Sequence, residues 1–342
     1  PAKPKRFYGR QTELDTVLEA MSQDAPRVAI LGGGGMGKTS LARAVLHHPQ
    51  ICARFQHRFF VSSESATTDL ELAALTGLHL GLEAGPDLRN PVIRVLSRGP
   101  PVLLILDNLE TPWEPTPSRA GVEEFLSLLT DIDHLALLIT MRGAERPARV
   151  RWTRPFLQSL QPLSDDAAEK TFNDITDNSC QGEERTQLLQ LTENMPLAIE
   201  LMAHLVDYEG SSNVLTRWKM ENTGVLSIGH NKGSNLNVSI ELSLASPRLS
   251  SSAQELLSLL SLLPDGLSDD ELSQTRLPIS DVHSGKSVLL ATSLAYRGTN
   301  RLRVLAPIRE YVRSSSPPSQ SLVYAVQEHF HQLLALYQQT RG

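Results

Sequence analysis

The stretch RVAILGGGGMGKTSLARAVL, residues 27–46, decides the fold of this 342-residue chain. An apolar run is followed by four consecutive glycines and then by a helix-forming segment. Gly32, Gly37, Lys38 and Thr39 have the spacing G-x-x-x-x-G-K-[ST], and a strand before the loop with a helix after it is the context that this motif requires. The stretch therefore predicts a phosphate-binding loop between a buried strand and a helix.

The chemistry of a triphosphate explains the residue types in this loop. Glycines let backbone N–H groups approach phosphate oxygens without a Cβ in the way, and the N-terminus of the next helix adds partial positive charge. We expect Lys38 to contact the β- and γ-phosphates, the Thr39 hydroxyl to ligate Mg²⁺, and Ser40 to add a phosphate hydrogen bond. The predicted nucleotide contacts of the loop are Gly32, Gly33, Gly34, Gly35, Met36, Gly37, Lys38, Thr39 and Ser40. The alternative is a glycine-rich turn without a ligand, but consecutive glycines would cost such a turn backbone entropy on folding.

A second apolar strand carries acidic residues at its end, in PVLLILDNLE at residues 101–110. We expect Asp107 to face the magnesium ion, as carboxylates at the end of such strands do in P-loop proteins. Hydrolysis also needs a group that orients and deprotonates water. Asn108 cannot act as a base, whereas Glu110 can. The alternative is an ordinary Asp-Asn turn after a strand.

A third apolar strand, LALLITMRG at residues 135–143, ends with Thr140 and Arg142. Ligands of parallel α/β sheets meet the carboxyl ends of the strands. We therefore expect Arg142 to lie beside the γ-phosphate and to respond to its presence. The alternative is a surface arginine in a loop that also contains Arg146 and Arg149.

The order of apolar runs and helical patterns predicts an α/β P-loop NTPase fold with a parallel sheet, then a helical domain and a winged-helix domain. Predicted strands cover residues 28–31, 58–62, 102–106, 135–140 and 156–160, in the flat apolar pattern of buried parallel strands. We expect domains at 1–163, 164–233 and 234–315, and a C-terminal helix at 316–342. The third domain is predicted from the amphipathic helix SAQELLSLLSLL, a short helix at LSDDEL, and a hairpin around the turn RGTN. The C-terminal helix is the possible start of a helical repeat array.

The composition limits the class of protein, its partners and its compartment. Hydrophobic residues make up 40% of the chain and charged residues 20%, which is typical of globular proteins. The net charge of −6 argues against a nucleic-acid partner. Cys52 and Cys180 have no metal or redox spacing, so we expect a reducing, cytoplasmic setting. No apolar run approaches the roughly 20 residues of a membrane span, and the missing initiator Met suggests a piece of a longer chain.

Together these motifs resemble the NB-ARC branch of the signal-transducing STAND P-loop ATPases, which includes NOD-like receptors. FYGRQTEL at residues 7–14 looks like the family's N-terminal Gly-Arg element, which implies that Phe7, Tyr8, Gly9 and Arg10 lie near the adenine. ENMPLAIELMA is similar to its helical Pro-Leu motif, which implies that Pro196 packs on the adenine. The alternative for Pro196 is that it only begins a helix, where a missing N–H costs nothing.

The resemblance covers roughly residues 7 to 313 and implies a molecular switch. In this family ADP holds a closed form, whereas ATP with Mg²⁺ opens it and leads to a homo-oligomer, with slow hydrolysis. A fused N-terminal effector, a C-terminal repeat sensor and a role in innate immunity or cell death are what the resemblance implies. One element departs from the family, because Val304, Leu305 and Ala306 stand where many members have a Met-His-Asp sequence. His283 and His230 are near in sequence, but we interpret each as a surface or helix-end histidine.

Two other functions remain open from the sequence. A DNA-binding transcription regulator would use Arg297, Arg301 and Arg303 of the hairpin against backbone phosphates, although an exposed hairpin with three arginines is more often simply solvated. An AAA+-like ATPase motor would usually have an acidic residue directly after the magnesium carboxylate, a position that Asn108 occupies here.

Overall fold

A computed structural model describes residues 1–226, 235–298 and 300–339. The chain divides into two compact units. The first unit comprises Pro1–Asp174 with Asn194–Leu197, and the second comprises Ile175–Glu193 with Ala198–Gly342. His230 and the predicted boundary at 233 and 234 lie outside the described residues. The division into three domains therefore stays a prediction.

The first unit is built on a parallel sheet in the order β1-β4-β3-β2. Its strands are β1 Arg27–Gly32, β2 His57–Ser62, β3 Val102–Asp107 and β4 Leu135–Arg142. Its helices are α1 Gln11–Met21, α2 Lys38–Leu46, α3 Pro49–Arg54, α4 Asp69–His79, α5 Arg89–Arg98, α6 Glu110–Trp113 and α7 Thr116–Thr130. Four of the five predicted strands and the parallel α/β sheet with flanking helices are confirmed.

Apolar composition explains why these strands form a core. Every residue of β3 is buried, and so are all residues of β4 except Arg142. Side chains on one face of the sheet pack with the buried aromatic rings of Trp113 and Phe125. Parallel strands covered by helices need such continuous apolar runs. The sheet thereby fixes the carboxyl ends of β1, β3 and β4 at one edge.

The predicted strand at 156–160 is wrong. Backbone hydrogen bonds join the segment to β1 near its two ends, where the Thr153 N–H donates to the Arg27 carbonyl and the Leu160 N–H donates to the Leu31 carbonyl. It has more residues than β1 between those contact points, so the intervening residues bulge outward and Phe156 is 42% exposed. Prolines at 155 and 162 also lack the N–H that a sheet ladder uses. Only an isolated bridge between Gly32 and Leu160 remains.

Helices dominate the second unit. Helix α8 Asp165–Thr176 begins in the first unit, with the Ser164 hydroxyl accepting from the Ala167 N–H. The other elements are α9 Gly182–Thr192, α10 Pro196–Glu209, α11 Ser211–Glu221, a 3₁₀ turn at Asn222–Leu226, α12 Leu236–Leu244, α13 Ser251–Leu260, β5 Leu267–Ser268, α14 Asp269–Gln274, α15 Val282–Ala291, β6 Tyr296–Gly298, β7 Arg301–Arg303, α16 Ala306–Ser315 and α17 Gln320–Gln339. Strands β5, β7 and β6 form an antiparallel sheet. The hairpin is present, and the winged-helix interpretation stays a prediction.

Helix composition also bears on membrane insertion. Across residues 1–226, 235–298 and 300–339, none of the helices combines the length and the apolar character that crossing a bilayer requires.

Candidate functional site

The glycine loop joins β1 to α2 at the carboxyl edge of the sheet. Gly35 and Gly37 have φ values of +75° and +86°, in the left-handed region that favours glycine. A Cβ on Gly37 would meet no heavy atom within 4 Å, so its backbone conformation and not crowding requires glycine there. Ser40 is exposed in the first turn of α2. The loop is thus a bare-backbone turn at a helix N-terminus, with open space at Gly37, which suits an anion such as a phosphate.

Lys38 turns back onto this loop. Its ammonium donates to the carbonyl oxygens of Gly32 at 3.0 Å and Gly33 at 2.7 Å, and the residue is only 7% exposed. A buried lysine needs such partners because an ammonium removed from water is costly without them. The bonds hold the positive charge against the start of the loop, where the sequence predicts phosphate contact.

Asp107 ends β3 and faces the loop through Thr39. The Thr39 hydroxyl lies 2.9 and 3.1 Å from the two carboxylate oxygens of Asp107. Asp107 is nearly fully buried. Carboxylate and hydroxyl oxygens are hard ligands of the kind that Mg²⁺ prefers. The predicted magnesium pair is therefore brought together, and its donor set fits the ion.

Thr140 of β4 organises the end of β3, and our sequence analysis did not include it among the site residues. Its fully buried hydroxyl donates to Asp107 Oδ1 at 2.5 Å and accepts from the Asn108 backbone N–H at 3.0 Å. The Thr140 carbonyl accepts from the Leu109 N–H at 3.0 Å. A signal was available, because a hydroxyl inside an apolar strand must find a buried partner.

Arg142 and Glu110 contact each other at the same edge. The Arg142 backbone N–H donates to Glu110 Oε2 at 3.2 Å, and Arg142 Nε lies 3.3 Å from Glu110 Oε1. In the parallel pairing of β1 and β4, Arg142 is the register partner of Gly32, the first residue of the glycine loop. Arg142 therefore lies beside the loop and contacts a carboxylate, and its predicted position beside the γ-phosphate stays a prediction. The water-orienting role of Glu110 stays a prediction.

The N-terminal Gly-Arg element is tied to the loop by Arg10. This buried guanidinium donates to the carbonyl oxygens of Met36 at 3.2 Å and Gln161 at 2.5 Å, and it pairs with Glu13 at 2.7 Å. Gly9 has a φ of +66°, and a Cβ there would come within 2.3 Å of the Ala167 Cβ. Phe7 and Tyr8 are half-buried. Arg10 thus holds the backbone of the loop through the Met36 carbonyl. Contact of these four residues with adenine stays a prediction.

The Pro-Leu motif also approaches the loop within the first unit. The Leu197 backbone N–H donates to the Gly35 carbonyl at 3.1 Å. A Cβ on Gly35 would come within 2.6 Å of the Met195 side chain and 3.0 Å of Leu197. Half-buried Pro196 is the first residue of α10, the position that the simpler interpretation gave it. Packing of Pro196 on adenine stays a prediction.

The hairpin arginines of the second unit face carboxylates. Arg301 pairs with Glu271 at 2.8 Å and donates to two backbone carbonyls, those of Asp265 and Gly266. Arg297 lies 3.9 Å from Asp269, and Arg303 lies 4.0 Å from Asp265. Arg297 and Arg303 lie near exposed carboxylates, which is consistent with the interpretation of a solvated hairpin, while Arg301 has direct partners.

The segment that replaces the Met-His-Asp sequence is apolar and buried. Val304, Leu305 and Ala306 are each at most 9% exposed, and the Val304 carbonyl accepts from Arg309 at 2.6 Å. His283 is exposed in the first turn of α15, in agreement with its interpretation as a surface or helix-end histidine.

Comparisons with known proteins bear on the family and the fold of this chain. Residues 1–164 match the family model described as Novel STAND NTPase 1. A Walker-type ATPase of Pyrococcus abyssi is similar over 91% of this chain and 98% of that chain, with 15% identity and a TM-score of 0.62. The ORC1 protein of Aeropyrum pernix, solved in complex with DNA, is similar over 91% and 94%, with 13% identity and a TM-score of 0.50. At these identities the similarity shows the fold alone.

A STAND protein with a tetratricopeptide repeat sensor from Pyrococcus horikoshii covers 98% of this chain with 19% identity. Its TM-score of 0.40 is too low to add to the fold assignment, and this chain spans 46% of that protein. Among curated proteins, no sequence matches this chain. The segment at residues 1–164 thus has the fold of a P-loop NTPase, and its sequence is similar to that of the STAND class of these proteins.

Proposed function

We propose that this chain is an ATP- and ADP-binding molecular switch of the STAND type. One observation carries the proposal. Four side chains of the proposed site come from elements that meet at one sheet edge. Lys38 and Thr39 begin α2, Asp107 ends β3, and Arg142, the register partner of Gly32, ends β4. A triphosphate with its metal needs a cation, two hard oxygen ligands and a bare backbone at one place.

The residues have distinct roles in this proposal. The loop at 32–37 offers backbone N–H groups to the phosphates, and Lys38 neutralises the β- and γ-phosphates. Thr39 and Asp107 would hold Mg²⁺, which screens phosphate charge when it is bound. Glu110 is the candidate base for the attacking water, and the residues 7–10 with Pro196 are the candidate adenine contacts.

A switch must distinguish the two nucleotides by the γ-phosphate, because a ligand shifts an equilibrium only through its differential affinity. Arg142 supports this function because it lies beside the first glycine of the loop. We infer that ADP keeps the chain closed, whereas ATP opens it for assembly into a homo-oligomer. A cytoplasmic signalling role of the innate-immunity or cell-death kind, with fused effector and repeat domains, belongs to this proposal through the NB-ARC resemblance.

Nucleotide binding is tested by calorimetry on Lys38→Ala. Loss of the buried ammonium removes two bonds to the loop and its positive charge. We expect no measurable binding of ADP or of a non-hydrolysable ATP analogue, while circular dichroism stays that of a folded chain. Lys170→Ala, at an exposed position of α8, is the matched control and should bind both nucleotides normally. Unchanged affinity in Lys38→Ala would refute the proposed site.

The switch itself is tested by assembly and turnover. We expect light scattering to show monomers with ADP and larger assemblies with the ATP analogue and Mg²⁺. Hydrolysis should be much slower than one turnover per second. Rapid multiple turnover without assembly would favour the AAA+-like ATPase motor instead.

DNA binding is a weaker second candidate. The similarity of fold to the ORC1 protein, which was solved with DNA, keeps it open. However, the hairpin arginines pair with Glu271, Asp269 and Asp265, and those carboxylates repel a phosphate backbone. Salt-dependent binding of duplex DNA by the full chain would support this candidate, and its absence at low salt would exclude it.

A further inference from the structure

The ion pair between Glu110 and Arg142 joins two elements of the candidate site. Glu110 begins α6 just after β3, and Arg142 ends β4. One carboxylate oxygen faces the Arg142 backbone N–H and the other faces its side-chain Nε, at 3.2 and 3.3 Å. The Leu109 N–H bond to the Thr140 carbonyl fixes the intervening backbone. The carboxylate is therefore held against the arginine by both of its oxygens.

The ion pair between Glu110 and Arg142 is largely buried. The Glu110 and Arg142 side chains are 9% and 13% exposed, so solvent and salt screen their attraction far less than they would at the surface. Arg142 is also the register partner of Gly32, where the phosphate loop begins. A terminal phosphate at the loop and the Glu110 carboxylate are thus two anions that both attract one guanidinium.

We propose that Glu110 competes with the γ-phosphate for Arg142 and so lowers the affinity for ATP relative to ADP. This inference rests on the proposed nucleotide-binding function and concerns its regulation. A triphosphate must draw the guanidinium from Glu110 before it gains that contact, whereas a diphosphate leaves the pair intact. Because a ligand shifts an equilibrium only by its differential interaction, the effect is confined to the triphosphate. Glu110 acts here as a positioning residue for Arg142.

The test measures the affinities of ADP and of the β,γ-methylene analogue of ATP by calorimetry, both with Mg²⁺. Glu110→Gln keeps the size of the side chain and an oxygen acceptor for the Arg142 N–H, but it removes the charge. We expect the affinity for the analogue relative to ADP to rise about tenfold, near the low end of coupling between linked sites. The affinity for ADP should not change. Glu110→Asp, whose carboxylate is one methylene shorter, should change the ratio in the same direction but less.

Two controls separate competition from a general electrostatic or structural effect. In an Arg142→Gln background, Glu110→Gln should leave the affinity ratio unchanged, because the contested guanidinium is gone. Glu123→Gln removes the same charge from the same unit, but this carboxylate accepts from the Trp113 indole and the Ala148 N–H. It should leave the ratio at the wild-type value.

An unchanged or reduced preference for the analogue in folded Glu110→Gln, with both nucleotides bound, would overturn the competition and leave the proposed function intact. An effect of the same size in the Arg142→Gln background would also overturn it. If wild-type protein binds neither nucleotide, the proposed function fails and this inference with it.

Discussion

Replacing Thr140 with valine removes one hydroxyl from the centre of the site while keeping its shape. That hydroxyl donates to Asp107 Oδ1 and accepts from the Asn108 N–H, and the residue is fully buried. Thr140→Val therefore removes a bond to a charged group and leaves a buried N–H unpaired. Hydrogen bonds to charged groups and orphaned buried donors each contribute a few kcal/mol, so we expect a loss of about 2–4 kcal/mol in the free energy of unfolding. Thr39 still donates to Asp107, which limits the loss.

The same substitution should weaken the binding of magnesium. Groups that orient a metal ligand typically contribute ten- to a hundredfold to metal affinity, so we expect Mg²⁺ to strengthen ATP-analogue binding about 10- to 100-fold less in Thr140→Val than in wild type. Calorimetry with and without Mg²⁺ gives this enhancement, and urea unfolding followed by tryptophan fluorescence gives the stability. Thr140→Ser keeps the hydroxyl and should retain most of the enhancement. A wild-type enhancement together with wild-type stability in Thr140→Val would refute the assigned role of the hydroxyl.

Two further predictions concern stability. Gly35→Ala places a Cβ at a φ of +75°, and the nearby terminal methyl of Met195 can move aside, so thermal unfolding should show chiefly the roughly 1–3 kcal/mol that a left-handed non-glycine residue costs. Gly37→Ala, with a φ of +86° and open space around its Cβ, should show a loss in the same range. Burial alone would raise the pKa of Glu271, but bonds from the Ser268 backbone and hydroxyl and from Arg301 outweigh it and hold the pKa below its ordinary 4.5. The resulting stability is present above the ordinary pKa and lost as the pH falls through the lowered one. Wild type should therefore unfold at higher urea than Glu271→Gln near pH 7, and the difference should shrink as the pH falls below 4.5 and through the lowered pKa. A difference that does not depend on pH would contradict this.

Local patterns predicted the core of the first unit well. The strands around Val28, Leu103 and Leu137 consist of apolar residues that only a buried sheet accommodates, and each was located to within two residues. The glycine loop was equally predictable, because Gly37 and its neighbours encode a backbone conformation within a few residues. The segment at 156–160 has similar apolar letters, but its excess length prevents continuous pairing with β1, which a short window does not show, whereas the adjacent Pro155 was a visible signal against a strand.

Contacts between distant parts of the sequence were not predictable. Arg142 and Glu110 were each identified at a strand end, yet nothing in the spacing shows that the carboxylate lies on the arginine. Thr140 was noticed beside Arg142, but its bond to Asp107 depends on the register of β3 against β4. Arg10 was expected near adenine, and its bonds to the Met36 and Gln161 carbonyls follow only from the folded chain. In each case the chemistry of a residue was evident, whereas its partner required the tertiary structure.

Diffraction from crystals of this protein grown with Mg²⁺ and a non-hydrolysable ATP analogue tests the central claim most directly. We expect phosphate density against the backbone of residues 33–38 and a metal between the Thr39 hydroxyl and the Asp107 carboxylate. Nucleotide density at another place, or a loop that binds none at saturating concentration, would contradict it.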